Sequence, residues 1–76
     1  MIIVSQDKEE IVNFENIESI WISVDGEGRF TIEATATTNS TLGHYKTKEK
    51  VKGVIQEIIR YYAIANIGQV YEMPED

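Results

Sequence analysis

The sequence predicts an α+β fold, in which a small antiparallel β-sheet of four to six strands carries one C-terminal helix across one face. Three observations predict this class. The chain of 76 residues contains 12 Ile and 6 Val but a single Leu, and β-branched side chains favour strands. Apolar and polar side chains alternate cleanly in the middle of the chain. An apolar stripe with helical spacing follows near the C-terminus.

Short runs of strand-forming residues, separated by polar turns, locate the strands. The predicted strands are residues 2–5, 10–13, 17–24, 29–37 and 41–45. A hairpin turn is expected at residues 25–28, because its glycines can adopt the positive φ angles that tight turns require. The next strand places one set of apolar residues on a single face, which is therefore predicted to be core: Phe30, Ile32, Ala34 and Ala36.

A helix is predicted over residues 47–66, with Thr47 as its N-cap and Glu49 in its first turn. The residues of its apolar stripe are Val51, Val54, Ile55, Ile58, Tyr62 and Ala65. Gly68 is expected to end the helix. Residues 69–74 are then expected to form a short terminal strand or an ordered tail.

The helix stripe and the apolar sheet face each need a cover, and packing one against the other buries both. A chain of this length forms one domain, which spans residues 1–76. The expected arrangement is similar to a cut-down pleckstrin-homology-like half-barrel. A fold likeness of this kind implies no function.

The charge is distributed unevenly along an acidic chain whose formal net charge is -6. Residues 1–36 carry -6, residues 37–60 carry +3 and residues 61–76 carry -3. Direct binding of duplex nucleic acid is not expected, because it requires a basic face that neutralises several phosphates. No apolar run approaches the roughly 18 residues of a membrane span, so a cytoplasmic protein with no membrane partner is expected.

The sequence offers few reactive side chains. It contains no cysteine and His44 is its only histidine, so no metal site is predicted. The serines lack the Gly-x-Ser-x-Gly context of an activated nucleophile, and no Gly-Lys-Ser/Thr segment offers a phosphate-binding loop. A non-enzymatic protein with no catalytic residue and no cofactor is therefore expected.

Four lysines surround the predicted helix start, within residues 41–52. Free N–H groups in a first helical turn favour an anion, and nearby lysines strengthen that preference. The residues of this predicted anion-binding site are His44, Lys46, Thr47, Lys48 and Lys52. The alternative is that the lysines only keep an acidic protein soluble, while Glu49 already complements the helix dipole.

A surplus of apolar surface predicts self-association into a homo-oligomer. In one strand register Ile20, Ile22 and Val24 face the core. Alternation then exposes Trp21 and Ile17 on the opposite face. In a shifted register Trp21 is instead buried at the edge of the sheet. The predicted interface residues are Ile17, Trp21, Tyr61, Tyr71 and Met73.

Three segments carry a resemblance to a known family. They are Val4-Ser5-Gln6-Asp7 with Ile11-Val12-Asn13, then Leu42-Gly43-x-Tyr45-Lys46-Thr47-x-Glu49, and finally Val70-Tyr71-x-Met73-Pro74. Over nearly its whole length the chain resembles a set of small, mostly uncharacterised proteins of Firmicutes and of their phages and prophages. His44 and Val51 depart from the family pattern, which has an acid and an alanine there. The resemblance carries over no catalytic or binding residue.

What the resemblance implies is a bacterial cytoplasm in which small acidic phage proteins act by stoichiometric binding. The leading hypothesis is a non-enzymatic phage or prophage anti-defence factor. It would work as a homo-oligomer that sequesters a small phosphorylated signal of cyclic nucleotide type. The alternative is an acidic protein–protein inhibitor module that blocks or mimics a nucleic-acid partner of a host protein. Such a module would use Glu18, Asp25, Glu27 and Glu33.

Overall fold

The computed structural model describes residues 1–64 and 68–76, which form six strands and one α-helix. The strands are β1 (Ile2–Val4), β2 (Ile11–Asn13), β3 (Ser19–Val24), β4 (Phe30–Thr35), β5 (Asn39–Tyr45) and β6 (Val70–Glu72). Phe14–Asn16 form a 3-10 helix, and Lys48–Ala63 form the α-helix α1. The predicted α+β class and its C-terminal helix are confirmed.

The strands divide into two sheets of three, so the expectation of a single antiparallel sheet is wrong. Their orders are β2-β1-β6 and β3-β4-β5. β1 pairs antiparallel with β2 but parallel with β6, and Ile3 lies between Val12 and Tyr71. Pairing with β6 gives β1 a neighbour on each side. The chain's first strand therefore does not join the sheet of β3, β4 and β5, which is called the hairpin sheet below.

Several element boundaries differ from the predicted ones. β3 begins at Ser19, two residues later than expected, because the preceding chain forms the 3-10 helix at Phe14–Asn16. β5 begins at Asn39, two residues earlier than expected. α1 ends at Ala63, and the predicted stripe residue Ala65 lies outside the described residues.

The core lies between α1 and the face of the hairpin sheet on which the sequence places Phe30, Ile32 and Ala34. The helix contacts β4 and β5. Ile32 and Ala34 are buried and Phe30 packs against them from the edge of the core. Ala36, also predicted for this face, follows the end of β4 at Thr35 and is only partly buried. The helix contributes three buried residues, Val51, Val54 and Ile58. The predicted packing of helix on sheet is therefore confirmed, although Tyr62 of the predicted stripe is 45% exposed.

Gln6, two residues after β1, joins the two sheets. Its main-chain N–H donates to the carbonyl oxygen of Leu42 in β5 at 2.8 Å. Its side-chain Oε1 accepts the N–H of His44 at 2.8 Å, and its Nε2 donates to the His44 carbonyl oxygen at 3.1 Å. The amide side chain thus fills the place that a peptide group of a neighbouring strand would take at the edge of β5. Nε2 also lies 3.3 Å from the carbonyl oxygen of Pro74.

A β-bulge in β5 sets the position of Tyr45. The pairing of β4 with β5 shifts by one residue between Ile32 and Glu33, which leaves Leu42 as the extra residue. Beyond the bulge the fully buried ring of Tyr45 lies over Gly43. A Cβ atom at residue 43 would be 2.8 Å from Cε2 of that ring. The Tyr45 hydroxyl donates to the carbonyl oxygen of Pro74 at 2.9 Å, which ties the ring to the C-terminal tail.

We expect Gly43→Ala to destabilise the protein by about 1–3 kcal/mol, because the buried Tyr45 ring cannot move away from the added methyl group. Urea unfolding measures the change. The matched control is Gly53→Ala in α1, where the new Cβ would have no heavy atom within 4 Å apart from the adjacent residues and the backbone of the helix itself. That substitution should stabilise the helix by about 0.5–1 kcal/mol. A Gly43→Ala variant as stable as the unmodified protein would contradict the packing described for Tyr45.

We expect Gln6→Ala to lower the free energy of unfolding by about 1–3 kcal/mol, because it leaves the main-chain groups of His44 without their partners. Gln56→Ala is the control, since Gln56 is an exposed glutamine on α1 and its loss should be nearly neutral. Both variants are compared by urea unfolding. Equal stability of the two would show that the Gln6 amide does not hold the sheets together.

Candidate functional site

The start of α1 is fixed by its capping residue, as the sequence predicts. Thr47 has extended backbone angles, φ -126° and ψ 151°, and its hydroxyl oxygen accepts the N–H of Lys50 at 3.1 Å. Glu49 lies in the first turn. Since the Thr47 hydroxyl already satisfies one N–H of the helix start, its part in the predicted anion site is structural.

Four lysines project from this region into solvent: Lys46, Lys48, Lys50 and Lys52. Within residues 1–64 and 68–76, no carboxylate lies within 4.0 Å of their ammonium nitrogens. Lys48 and Lys52 are four residues apart on α1, so their side chains leave the same face of the helix. Lys48 and Lys52 thus form a lysine surface on one face of α1, while Lys50, two residues from each of them, leaves a different face.

A carboxylate from the C-terminal tail already lies just ahead of the helix. The N–H of Lys46 donates to Oδ2 of Asp76 at 2.9 Å. Lys46 directly precedes the N-cap residue, so this carboxylate sits where the positive end of the helix dipole favours an anion. The chain thus supplies its own anion at the predicted site.

His44 is turned away from the lysines. In β5 it lies opposite Thr31, while its neighbour Tyr45 points into the core. Nδ1 of His44 lies 3.0 Å from Oδ2 of Asp25 in the β3–β4 hairpin turn. Four of the five predicted ligand residues therefore flank the start of α1, but the structure directs the His44 imidazole to a different group.

Asp25 organises the hairpin turn and holds His44. Its Oδ1 accepts the N–H groups of Glu27 and Arg29, each at 2.9 Å, and its Oδ2 lies 3.0 Å from Nε of Arg29. Burial alone would raise the pKa of the Asp25 carboxyl. The hydrogen bonds from Arg29, Glu27 and His44 outweigh burial and lower this pKa to about 2. The predicted turn at residues 25–28 is confirmed, with Gly28 at φ 81°.

Two of the cavities on the described surface border α1 and β5. The larger, of about 340 Å³, lies between α1 and the tail and is lined by Glu49, Lys50, Gly53, Val54, Glu57 and Pro74. The smaller, of about 80 Å³, is lined by Gln6, Asp7, Thr41, Leu42, Gly43 and His44. Sequence reasoning missed the larger cavity. The one signal for it is Gly53, a glycine in the interior of a helix with open space above it.

The predicted interface residues fall into three groups by exposure. Trp21 and Tyr61 are 38% and 39% exposed, so both have surface to offer a partner. Ile17 is partly buried and packs against the core. Tyr71 and Met73 are buried, which corrects the expectation that they form contact surface.

Pairing of the tail with β1 explains the burial of these two residues. Tyr71 lies opposite Ile3 in the parallel pair, and the N–H of Met73 donates to the carbonyl oxygen of Val4 at 3.0 Å. The Tyr71 hydroxyl donates to Oε1 of Glu57 at 2.6 Å. Burial, together with this hydrogen bond, raises the pKa of Tyr71 well above its ordinary value. Tyr71 is a core residue that anchors the tail to α1.

Comparison with known proteins identifies no relative. No family model, curated protein or solved structure matches the chain, so the resemblance to the Firmicutes and phage family stays a prediction. In the described residues, no three His, Cys, Asp or Glu side chains are placed to hold a metal ion. The helix in the described part of the chain is too short and too polar to cross a membrane.

We expect the hydrogen bonds to the Asp25 carboxylate to make the free energy of unfolding dependent on pH in the acid range. A carboxyl whose pKa is lowered on folding stabilises the native state above its unfolded pKa, about 3.9. This contribution is lost as the pH falls through the folded value of about 2. Urea unfolding between pH 7 and pH 2 should therefore show that acidification lowers the free energy of unfolding less for Asp25→Asn than for the unmodified protein.

The matched control for this pH series is Glu27→Gln, in the same turn but with a side chain that is 76% exposed. This variant should lose nearly as much stability between pH 7 and pH 2 as the unmodified protein does, because Glu27 makes only a solvent-exposed ion pair with Arg29. Parallel pH profiles for the unmodified protein and Asp25→Asn would contradict the role given to Asp25.

Proposed function

We propose that the protein is a non-enzymatic binding protein that works as a homo-oligomer and sequesters a small phosphorylated ligand of cyclic nucleotide type. The observation that carries the proposal is the group of four exposed lysines at the start of α1, without carboxylate partners in the described chain. Four of the seven basic residues of a chain with net charge -6 thus lie within residues 46–52. Phosphate is the ligand chemistry that a helix start and several lysines favour together.

The Asp76 contact supports an anion at this position. Its carboxylate accepts the N–H of Lys46, so the geometry ahead of α1 suits an oxygen ligand with negative charge. A phosphate that displaced Asp76 would keep this hydrogen bond. It would also gain the charges of Lys48 and Lys52, which the carboxylate does not contact in the structure. The tail therefore acts as a weak internal competitor for the ligand.

The size of the cavities supports assembly from more than one chain. Pockets that bury a small ligand have volumes of about 300–1,000 Å³. The larger cavity here, of about 340 Å³, is at the lower end of that range, and its lining contains Lys50 but neither Lys48 nor Lys52. The lysine surface itself is open to solvent. A second copy would enclose a ligand that one chain leaves exposed.

The acidic protein–protein module has less support. Asp25 and Glu27 are tied to Arg29, and Glu33 accepts a hydrogen bond from the Thr41 hydroxyl at 2.8 Å. Of the four acids in that hypothesis, Glu18 is the one whose carboxylate has no partner among the described residues. A surface whose acids are already paired is less able to replace a nucleic acid. The phage origin, the anti-defence role, the bacterial cytoplasm and the half-barrel architecture stay predictions on which this proposal does not depend.

Isothermal titration against a panel of cyclic di- and trinucleotides tests the proposal. We expect binding that weakens as salt concentration rises, because the contacts are between lysines and phosphates. The double variant Lys48→Ala/Lys52→Ala should bind at least about tenfold more weakly, since each charge-assisted hydrogen bond contributes about 1.5–3 kcal/mol.

The control for this titration is Lys8→Ala. Lys8 is an exposed lysine in the segment between β1 and β2, and its ammonium lies 3.0 Å from the carboxylate of Glu72 in β6. It should bind the panel as the unmodified protein does. If the folded protein binds no member of the panel, the ligand proposal is wrong.

A further inference from the structure

β3 is a long sheet edge without the usual protection against pairing. Its six residues, Ser19–Val24, include no charge and no proline, and no strand of the described chain lies along its outer side. The opposite edge of the same sheet is partly covered, because Gln6 bonds to Leu42 and His44 in β5 and the tail bonds to Lys46, the residue after β5. The open edges of the second sheet belong to β2 and β6, which are three residues long. Natural sheets shield exposed edges with charge, proline or short strands, and β3 has none of these.

The pairing of β3 with β4 fixes which main-chain groups remain free. The N–H of Asp25 donates to the carbonyl oxygen of Arg29 at 2.9 Å, just beyond the pair Val24 and Phe30. Hydrogen-bonded and open pairs alternate along an antiparallel ladder. By this alternation Ser19, Trp21 and Ser23 direct their main-chain groups to β4. Ile20, Ile22 and Val24 direct theirs to the open edge.

We propose that β3 pairs antiparallel with β3 of a second copy of the chain, with Ile22 opposite Ile22 of that copy. This register is symmetric, as a twofold dimer requires. It uses the outward main-chain groups of Ile20, Ile22 and Val24 in both copies, which gives about six hydrogen bonds. The two hairpin sheets become one continuous sheet of six strands.

The side chains of β3 complement one another in this register. On the core side Ile20 meets Val24 of the second copy, and Ile22 meets its own counterpart, so every cross-strand pair is apolar. Val24, which is 59% exposed in one chain, gains an apolar neighbour. On the other side Trp21 lies opposite Ser23 of the second copy, and the small serine leaves room for the indole ring.

The charges around β3 permit a second copy of the same acidic chain. The register places Glu18 opposite Gly26 and Asp25 opposite Ser19, so no acid directly faces another acid. Asp25 and Glu27, the nearest acids to the incoming Glu18, share one ion-pair partner, Arg29, which offsets one of their two negative charges. Acids still gather at each end of the paired strands, so the dimer should become tighter as salt concentration rises. Binding of phosphate by the lysines has the opposite salt dependence.

This inference deepens the proposed function, and rests on it only for the idea that a second copy helps to enclose the ligand. Pairing through β3 uses neither Lys48 nor Lys52. Dimerisation and ligand binding can therefore be measured separately, and one can fail without the other.

The mass of the purified full chain in solution, measured up to about 1 mM, tests whether β3 forms the contact. We expect a dimer, or a larger assembly built from dimers. Val24→Lys adds a charge at an exposed position of the proposed edge and should weaken the dimer by at least about tenfold. The matched control is Ile11→Lys on β2, where the same change is made at an apolar residue that is 66% exposed. It should leave the assembly intact.

Cross-linking tests the register. The chain has no cysteine, so a single cysteine forms a disulfide only with a second copy. Ile22→Cys brings two thiols directly opposite each other and should cross-link on mild oxidation. In Val24→Cys the two thiols lie four residues out of register, about 14 Å apart along the strands, and should not cross-link. Circular dichroism of each variant checks that it is folded.

The outcomes separate the two proposals. A monomer at about 1 mM overturns the pairing, as does an assembly that Val24→Lys leaves unchanged, or cross-linking of Val24→Cys in place of Ile22→Cys. A protein that stays monomeric yet binds a cyclic nucleotide overturns the pairing and the homo-oligomer of the proposed function, but leaves the binding of a phosphorylated ligand by the lysines standing. A dimer that dissociates in Val24→Lys but binds no member of the panel overturns the ligand proposal alone.

Discussion

The hydrogen bonds of Gln6 link two small sheets into one structure. Each sheet has three strands, and neither would be stable alone with one face uncovered. Gln6 bonds to Leu42 through its main chain and to His44 through its amide, so the end of β1 is aligned with β5. This alignment brings the tail across the base of α1, where Pro74 accepts the hydroxyl of Tyr45. The core, the larger cavity and the position of Asp76 all depend on that arrangement.

Local patterns in the sequence predict the features that are built from neighbouring residues. The alternation in β4 identifies the core face, the Asp25–Gly28 turn follows from its glycines, and Thr47 caps α1 as expected. The parallel pair of β1 and β6 has no comparable signal. Ile2 lies opposite Val70, and nothing in either three-residue strand names the other as its partner. Tyr71 and Met73 therefore resemble an exposed tail in the sequence although they are buried in the structure.

In the candidate site, too, the sequence predicts the features that neighbouring residues set but not those that strand pairing sets. The lysines are placed by their distance from the helix start, which the sequence gives directly. The direction of His44 depends on the bulge in β5. Leu42 and Tyr45 both reach the core although they are three residues apart, which an unbroken strand does not allow. A one-residue shift exchanges the two faces of a strand, so sequence alternation alone does not assign His44 to Asp25.

The adjacency of the first and last strands constrains how the chain matures during synthesis. β1 is synthesised almost seventy residues before its parallel neighbour, Val70–Glu72. Until that segment emerges, Ile3 has no Tyr71 beside it and β1 has only β2 as a partner. Contacts between such distant residues form late, because closing a long loop is entropically unfavourable. The core of the nascent chain therefore stays incomplete until Val70–Glu72 have been synthesised, and chaperones and proteases have access to the chain until then.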